Sequence, residues 1–364
     1  MFWLLLIPFF IYLVLFVTAA LYLRNPAVWT YNPLLQPVSV SIIVPCKNEE
    51  SSLPSLLADL SLQNYPEDSF EIIVVDDHSS DNTLIVAEEF SGIRNLKVIS
   101  NAGNGKKHAI RTGVQSSSSE LIITTDADCR VGKVWVGTIA SFYAACRPAL
   151  IIGPVKLKER KGVLFVFQHI EWLGLQGITA GYALAGRPVM CNGANLAFTR
   201  KTFMENCEDL NYTIPSGDDI FLLHSVKSKQ GPSILWLNSR EADVTTEPAY
   251  SIQELLKQRA RWISKAGSYR DAFTIFLSAV VFITVSLLGL MLVAALLNIK
   301  FLPFFLAGFT IKSFADALLI RTTANLYKQK SFLRWLFPLQ LLYPLYLAAV
   351  LIRLIPGLFS RGKL

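Results

Sequence analysis

Two pairs of carboxylates stand where a chain of this kind could do chemistry. Asp126 and Asp128 are spaced i, i+2 directly after the apolar run Leu121–Thr125, and Gly217-Asp218-Asp219 precedes the apolar stretch Ile220–Leu223. At a strand end, an i, i+2 pair brings two hard oxygen ligands to one edge, suited to Mg²⁺ or Mn²⁺ that also holds a diphosphate. The metal would neutralise charge that builds on a departing phosphate. Alone, such a pair is more often a solvated turn; its place after a buried strand reverses that prior. Of Asp218 and Asp219, one suits a helix start, where carboxylates satisfy exposed amides. The other is placed to accept a proton from an attacking hydroxyl.

Two further segments carry weaker signals. Gln258-Arg259-Ala260-Arg261-Trp262 falls on a helix expected from about Ile252, just ahead of a long apolar run. A basic juxtamembrane segment with an interfacial tryptophan would read the same way. The functional reading gives Arg261 a diphosphate to bind and Trp262 a sugar or acceptor ring to stack on. Gly103-Asn104-Gly105-Lys106-Lys107 resembles a phosphate loop, but His108 follows the lysines. A nucleotide contact by Lys106 fits, and a Walker site does not. His78 reads as a loop residue, and nothing near Cys46 suggests an activated thiolate.

The elements that must position these residues alternate strand with helix. Val38–Pro45, Glu71–Val75, Leu96–Ser100 and Leu121–Thr125 read as strands, with helical patterns at Leu53–Gln63, from Thr83, and within 105–114. This spacing implies βαβ units and a mostly parallel sheet. In such sheets ligands bind beyond the carboxyl ends of the strands. Pro45 to Glu49, Asp76-Asp77 and Asp126 to Asp128 all sit there, after the first, second and fourth strands.

The rest of the chain points to a membrane. Of 364 residues, 52% are hydrophobic and 17% charged, too apolar for an ordinary soluble enzyme. Phe2–Leu23 is uncharged and long enough to span a bilayer, and reads as a retained anchor rather than a signal peptide. Phe273–Leu297 is a second uncharged run. Phe301–Ile320 carries Lys312 and Asp316, four apart and so on one helix face, free to pair or to face a bundle interior. Trp335–Ile352 contains Pro338 and Pro344, compatible with a kinked span, a re-entrant hairpin or an interfacial helix. The net charge of +7 lies at this end: residues 299–364 hold nine Lys/Arg and one acid, leaving 25 basic and 26 acidic residues in 24–298. Nucleic acid therefore loses its main support as a partner. Arg321, Lys328, Lys330 and Arg334 mark their loop as cytoplasmic by the positive-inside rule, and counting back two spans puts 24–271 on the same side. The five scattered cysteines and four isolated histidines indicate neither a disulfide framework nor a zinc site.

Taken in order, VPCKNEE (44–50), VVDDHSSDNT (74–83), NGKKHAI (104–110), DAD (126–128), GDD (217–219) and QRARW (258–262) resemble the motif series of membrane-anchored family 2 glycosyltransferases. That group holds cellulose, hyaluronan and poly-N-acetylglucosamine synthases and ceramide glucosyltransferase, and the likeness runs from Ser39 to Trp262. It implies a GT-A fold, an α/β, Rossmann-like, mostly parallel sheet, using a nucleoside-diphosphate sugar (a UDP-sugar) and Mg²⁺ or Mn²⁺. Carried over, Pro45, Glu49 and Asp77 would hold the nucleoside with Lys106 nearby. Asp126 and Asp128 would meet ribose, diphosphate and metal, with Asp128 the metal ligand, and Asp219 would be the base. Asp218, Gln258, Arg261 and Trp262 would lie at the diphosphate and acceptor entrance. Such enzymes invert the anomeric carbon by direct displacement. Gly217-Asp218-Asp219 departs from the usual T-E-D or S-E-D, and the membrane portion is small for a polymer channel.

The expected organisation is an anchor (1–23), a cytoplasmic catalytic domain (24–271) and a membrane region of two to three spans (272–364), in a bacterial inner membrane. The expected activity is sugar transfer to a membrane-associated lipid or glycan acceptor. The alternatives are a processive polysaccharide synthase and a non-catalytic, nucleotide-binding scaffold subunit. The motif carboxylates Asp126, Asp128 and Asp219 argue against the scaffold, and the sparse intramembrane charge argues against a transporter. The apolar stretch 162–188 suits buried core or interfacial helices, and the turn Asn192–Asn195 suits an acceptor site.

Overall fold

The computed structural model describes residues 2–33, 35–231 and 233–360. The chain divides into two units by packing: Pro26–Lys158 with Gly186–Glu247, and Met1–Asn25 with Glu159–Ala185 and Pro248–Leu364. The partition expected from the sequence follows chain order instead, with its breaks after residues 23 and 271.

In the first of these units, the four runs become neighbouring strands of a seven-stranded sheet, with β3 at its edge. β1 (Val40–Cys46), β2 (Phe70–Asp76), β3 (Leu96–Ser100) and β4 (Leu121–Thr124) are joined by β6 (Leu150–Ile152), β8 (Leu196–Thr199) and β9 (Ile234–Trp236) in the order β3-β2-β1-β4-β8-β6-β9. The pairs β1·β2, β2·β3, β1·β4 and β6·β9 are parallel, while β8 runs antiparallel between β4 and β6. Val40, Ile42, Ile43 and Val44 on β1 and Ile72–Val75 on β2 are fully buried, as parallel strands covered on both faces must be. Consecutive strands from β1 to β4 are connected by α2 (Leu53–Ser61), α3 (Thr83–Glu88) and α4 (Lys106–Ser116), close to the expected bounds. α5 (Trp135–Cys146), α7 (Arg200–Asn206) and α8 (Asp218–Gln230) complete the unit, with a small sheet β5-β10-β7 made by Arg130–Val131, Val244–Thr246 and Val155–Leu157. The mostly parallel α/β class read from the sequence is the one observed.

The other unit is helical: α1 (Ile7–Tyr22), α6 (Val163–Leu184), α9 (Ile252–Ile263), α10 (Ala272–Leu297), α11 (Leu302–Tyr327) and α12 (Leu333–Ser360). Four helical stretches are long and apolar enough to cross a membrane: Trp3–Tyr22, Ala272–Leu297, Ile299–Tyr327 and Leu333–Leu354. Phe9 of α1 is fully buried in a cluster with Leu288 and Met291 of α10 and Phe305 of α11. Most of the apolar stretch 162–188 forms one helix, α6, whose Ile170 and Leu173 pack with Ile320 and Ala324 of α11 and Leu336 and Leu339 of α12. α12 runs unbroken through Pro338 and Pro344, so the re-entrant hairpin is not formed; in spanning helices, neighbouring groups can satisfy what proline leaves open. Lys312 and Asp316 pair at 2.6 Å, as their spacing allows. Tyr12 and Gln340 also donate to Asp316, at 2.5 and 2.6 Å, and Ser313 donates to Gln340 at 2.9 Å. Every charge there is buried, so satisfaction by such a network is what makes it tolerable.

Candidate functional site

The ends of β1, β2 and β4 present their loops at one edge of the sheet. The loops after β1 and β2 are laced together. Asn48 N donates to Ser79 Oγ (2.9 Å), Glu49 N to Thr83 Oγ1 (2.7 Å), Ser80 N to Asn48 Oδ1 (2.8 Å) and Asn82 N to Glu50 Oε2 (2.9 Å). Asn48 and His78 take left-handed backbone, with φ of 57° each. Much of VPCKNEE and DDHSSDNT is thus spent on building the two loops. Pro45 pairs with Val75 inside the β1·β2 ladder. The Cys46 thiol is pushed up to about 12 by burial and then by Asp76, so it is no thiolate at neutral pH.

Asp77 is buried and its Oδ1 accepts from Gly105 N (2.8 Å) and Asn101 Nδ2 (2.6 Å), while Oδ2 lies 3.6 Å from Lys47. It therefore shapes the turn that starts α4. The first residue of α4, Lys106, is delivered between two carboxylates from distant chain segments. Its Nζ is 2.5 Å from Asp126 Oδ1 and 3.6 Å from Asp218 Oδ2. Burial works to lower the proton affinity of Lys106, but Asp126 and Asp218 outweigh it and hold the ammonium charged. Asp128 is raised above the usual carboxylate range, first by burial and then by Asp126. Glu49 is raised by burial too, with Asp128 and Asp126 adding to it. The site is thus a concentration of negative charge for which Lys106 compensates only in part.

Asp218 and Asp219 occupy the first turn of α8, and the cap position itself is Gly217, with φ of 90°. Neither carboxylate is the cap residue expected from the sequence; both sit where the helix dipole favours negative charge. Asp219 is fixed by backbone: Gly193 N donates to its Oδ2 (3.3 Å) and Ile220 N to its Oδ1 (2.7 Å). Gly193 is held in turn by Thr124 at the end of β4, whose Oγ1 donates to the Gly193 carbonyl at 2.9 Å. The turn Asn192–Asn195 thereby joins the two carboxylate pairs. Asn195 itself is a buried strut. Its Nδ2 donates to the carbonyls of Pro154 and Ala242 (2.8 Å each), and its Oδ1 accepts from Trp135 Nε1 (3.2 Å).

Glu49, Asp77, Lys106, Asp126, Asp128, Asp218 and Asp219 are therefore gathered in the sheet unit. Gln258, Arg261 and Trp262 belong to the helical unit, on α9, where the Trp262 ring lies 6.2 Å from that of Trp172. Sequence reasoning missed Lys107 beside Lys106. It is buried and donates to the carbonyls of Asn211 and Ile214 (2.8 Å each), with its Nζ 4.5 Å from the Phe221 ring centre. It anchors the segment leading into Gly217-Asp218-Asp219. The second lysine in NGKKH was the available signal, and only Lys106 of the two was given a role.

Two hard oxygens, Asp126 and Asp128, suit a divalent cation whose remaining ligands come from phosphates and water. Among the described residues, no group of three or more His, Cys, Asp or Glu side chains could hold a metal without such help.

A mostly parallel sheet with acidic loops at its strand ends is the arrangement of the GT-A fold, and four helices long and apolar enough to cross a membrane accompany it. Residues 41–206 match the family model for Glycosyl transferase family 2. Glycosyltransferase AglE of Haloferax volcanii is 26% identical over 250 residues, 65% of this chain and 79% of AglE. Probable glycosyltransferase YdaM of Bacillus subtilis is 33% identical over 165 residues, 43% of this chain and 39% of YdaM. The fold matches that of the mannosyltransferase PcManGT from Pyrobaculum calidifontis, solved with GDP-Man and Mn²⁺, with a TM-score of 0.59, 20% identity and 96% of each chain covered. The chain is a glycosyltransferase carrying a family 2 domain.

Proposed function

We propose that this enzyme moves one sugar at a time from a nucleoside-diphosphate donor, a UDP-sugar by the family resemblance, to a membrane-associated lipid or glycan acceptor, with inversion. The observation that supports it best is the pairing of Asp126 and Asp218 across Lys106, beside an Asp219 pinned by Gly193. Asp219, oriented through both oxygens, takes the proton of the acceptor hydroxyl as that oxygen attacks the anomeric carbon. The bond from that carbon to the diphosphate breaks, and its electron pair leaves with the nucleotide. Attack opposite the leaving group inverts the centre. Lys106 offers its charge to the diphosphate, and Glu49 and Asp77 border the nucleoside. Asp128 with Asp126 would hold Mg²⁺ or Mn²⁺, which when bound offsets charge on the leaving diphosphate. Gln258, Arg261 and Trp262 serve diphosphate and acceptor. The sheet unit faces the cytoplasm, by the basic loop between α11 and α12, in a bacterial inner membrane.

The test is nucleotide release by the purified protein in lipid, with a panel of UDP- and GDP-sugars, Mg²⁺ or Mn²⁺, and extracted native lipids. Release from one donor is expected, and Asp219→Asn should lose it by about 10²–10⁴-fold while still binding donor. Normal transfer by Asp219→Asn would end the base assignment. Silence with every donor would favour the nucleotide-binding scaffold instead.

A further inference from the structure

The helical unit contains a buried ion pair that the mechanism above does not use. Glu171 of α6 and Arg259 of α9 have side chains only 9% and 6% exposed. Arg259 donates twice to Glu171 Oε2, from Nη2 at 2.7 Å and Nε at 3.0 Å. The other oxygen, Oε1, accepts from the Tyr346 hydroxyl of α12 at 3.1 Å. Arg259 also donates to Gln258 Oε1, and its guanidinium carbon lies 4.1 Å from the Trp262 ring centre. One buried cation thus touches both Gln258 and Trp262, which helical spacing places one position before it and three after it.

Burying such a pair costs several kcal/mol of desolvation, and a packed apolar pair is often as stable. Stability alone does not call for it. Its geometry does something an apolar pair cannot: the planar fork is locked by a carboxylate on α6, and its face then fixes an indole on α9. Arg353 of α12, donating to Gln253 O at 2.9 Å, adds a second tie at the start of α9.

We propose that Glu171 and Arg259 are positioning residues for sugar transfer, acting through Gln258 and Trp262 by holding their side chains in one orientation on α9. This rests on the reading that Gln258 and Trp262 meet diphosphate or acceptor. Arg259→Lys keeps the charge and loses the paired hydrogen bonds and the stacked plane.

The experiment is a double-mutant cycle of Arg259→Lys and Trp262→Phe in the full chain in lipid, reading kcat and KM for acceptor, nucleotide binding, and tryptophan emission. The expected result is a loss of about tenfold in transfer for each single variant, the scale of a desolvated cation–π contact. The double variant should lose no more than Trp262→Phe alone. Any loss of nucleotide affinity should follow the same non-additive pattern, and emission in Arg259→Lys should shift. Additive losses, or full transfer by Arg259→Lys beside an impaired Trp262→Phe, would overturn the proposal and leave the motif reading standing. Full transfer by Trp262→Phe would overturn both. If Arg259→Lys does not fold, Glu171→Gln replaces it in the same cycle, because it keeps volume and weakens only the pair.

Discussion

Gly193→Ala should damage catalysis without damaging the fold. A methyl added there would lie 2.9 Å from Asp218 Oδ2, 3.4 Å from Lys106 Nζ and 3.8 Å from the Asp219 Cβ. Ordinary contact begins near 3.4 Å, so Asp218 must yield about 0.5 Å, while Asp219 keeps its place and its bond from Gly193 N. The backbone at Gly193 is not left-handed, so alanine adds no strain of its own. A displacement of about 0.5 Å is the tolerance of a working constellation, and about 1 Å costs on the order of 10²-fold. The expected loss is therefore about tenfold in kcat, or about 1.4 kcal/mol in the barrier. Steady-state nucleotide release, beside a thermal melt, is the assay, with an unchanged melt expected. Wild-type kcat in Gly193→Ala would refute the claim that this turn and the Lys106–Asp218 contact set the site. A lowered melt with proportionate loss of activity would instead make the turn a folding element.

Two other outcomes follow from the same site. Lys107→Met leaves the carbonyls of Asn211 and Ile214 without their charged donor, and should destabilise the sheet unit by about 2–4 kcal/mol. A urea midpoint equal to the wild type's would show that these bonds carry no stability. The second outcome concerns pH. Because burial and Asp126 raise Asp128, the folded protein holds this proton more tightly than the unfolded chain does. Ionising Asp128 then costs stability, so the metal-free protein should lose stability as pH rises through the folded value and recover it below. Mn²⁺ competes with that proton, so its affinity, measured by calorimetry, should climb as pH rises through the folded value of Asp128 and flatten in Asp128→Asn. An affinity independent of pH in the wild type would remove Asp128 from the ligand set.

How much was legible follows from which contacts are local. β1, β2 and β4 could be read because their apolar runs are buried and end in polar turns, and β3, an edge strand with no buried residue, from its short apolar run alone. The carboxylate clusters follow, since topology alone sends a parallel strand's end to the ligand edge. The four membrane-length helices were legible from their length and apolarity, and the Lys312–Asp316 pair because one turn of helix joins it.

The tertiary structure decided the rest, through contacts between segments far apart in the chain that no periodicity encodes. The antiparallel entry of β8 beside β4 brings Gly193 to Asp219, and the turn made by Asp77 aims Lys106 at both Asp126 and Asp218. The cap of α8 fell to Gly217, in left-handed backbone, and both carboxylates stand in the first turn behind it. Arg259 shows the limit most clearly. In the sequence it is one of two arginines in QRARW, and only the packing of α6 and α12 against α9 buries it on Glu171 while Arg261 stays exposed. Sequence by itself determined which residue types sit at the strand ends and which stretches are long and apolar enough to cross a membrane. Folding determined which of those groups meet, because a side chain's partner depends on the register of distant elements and not on its neighbours in the chain.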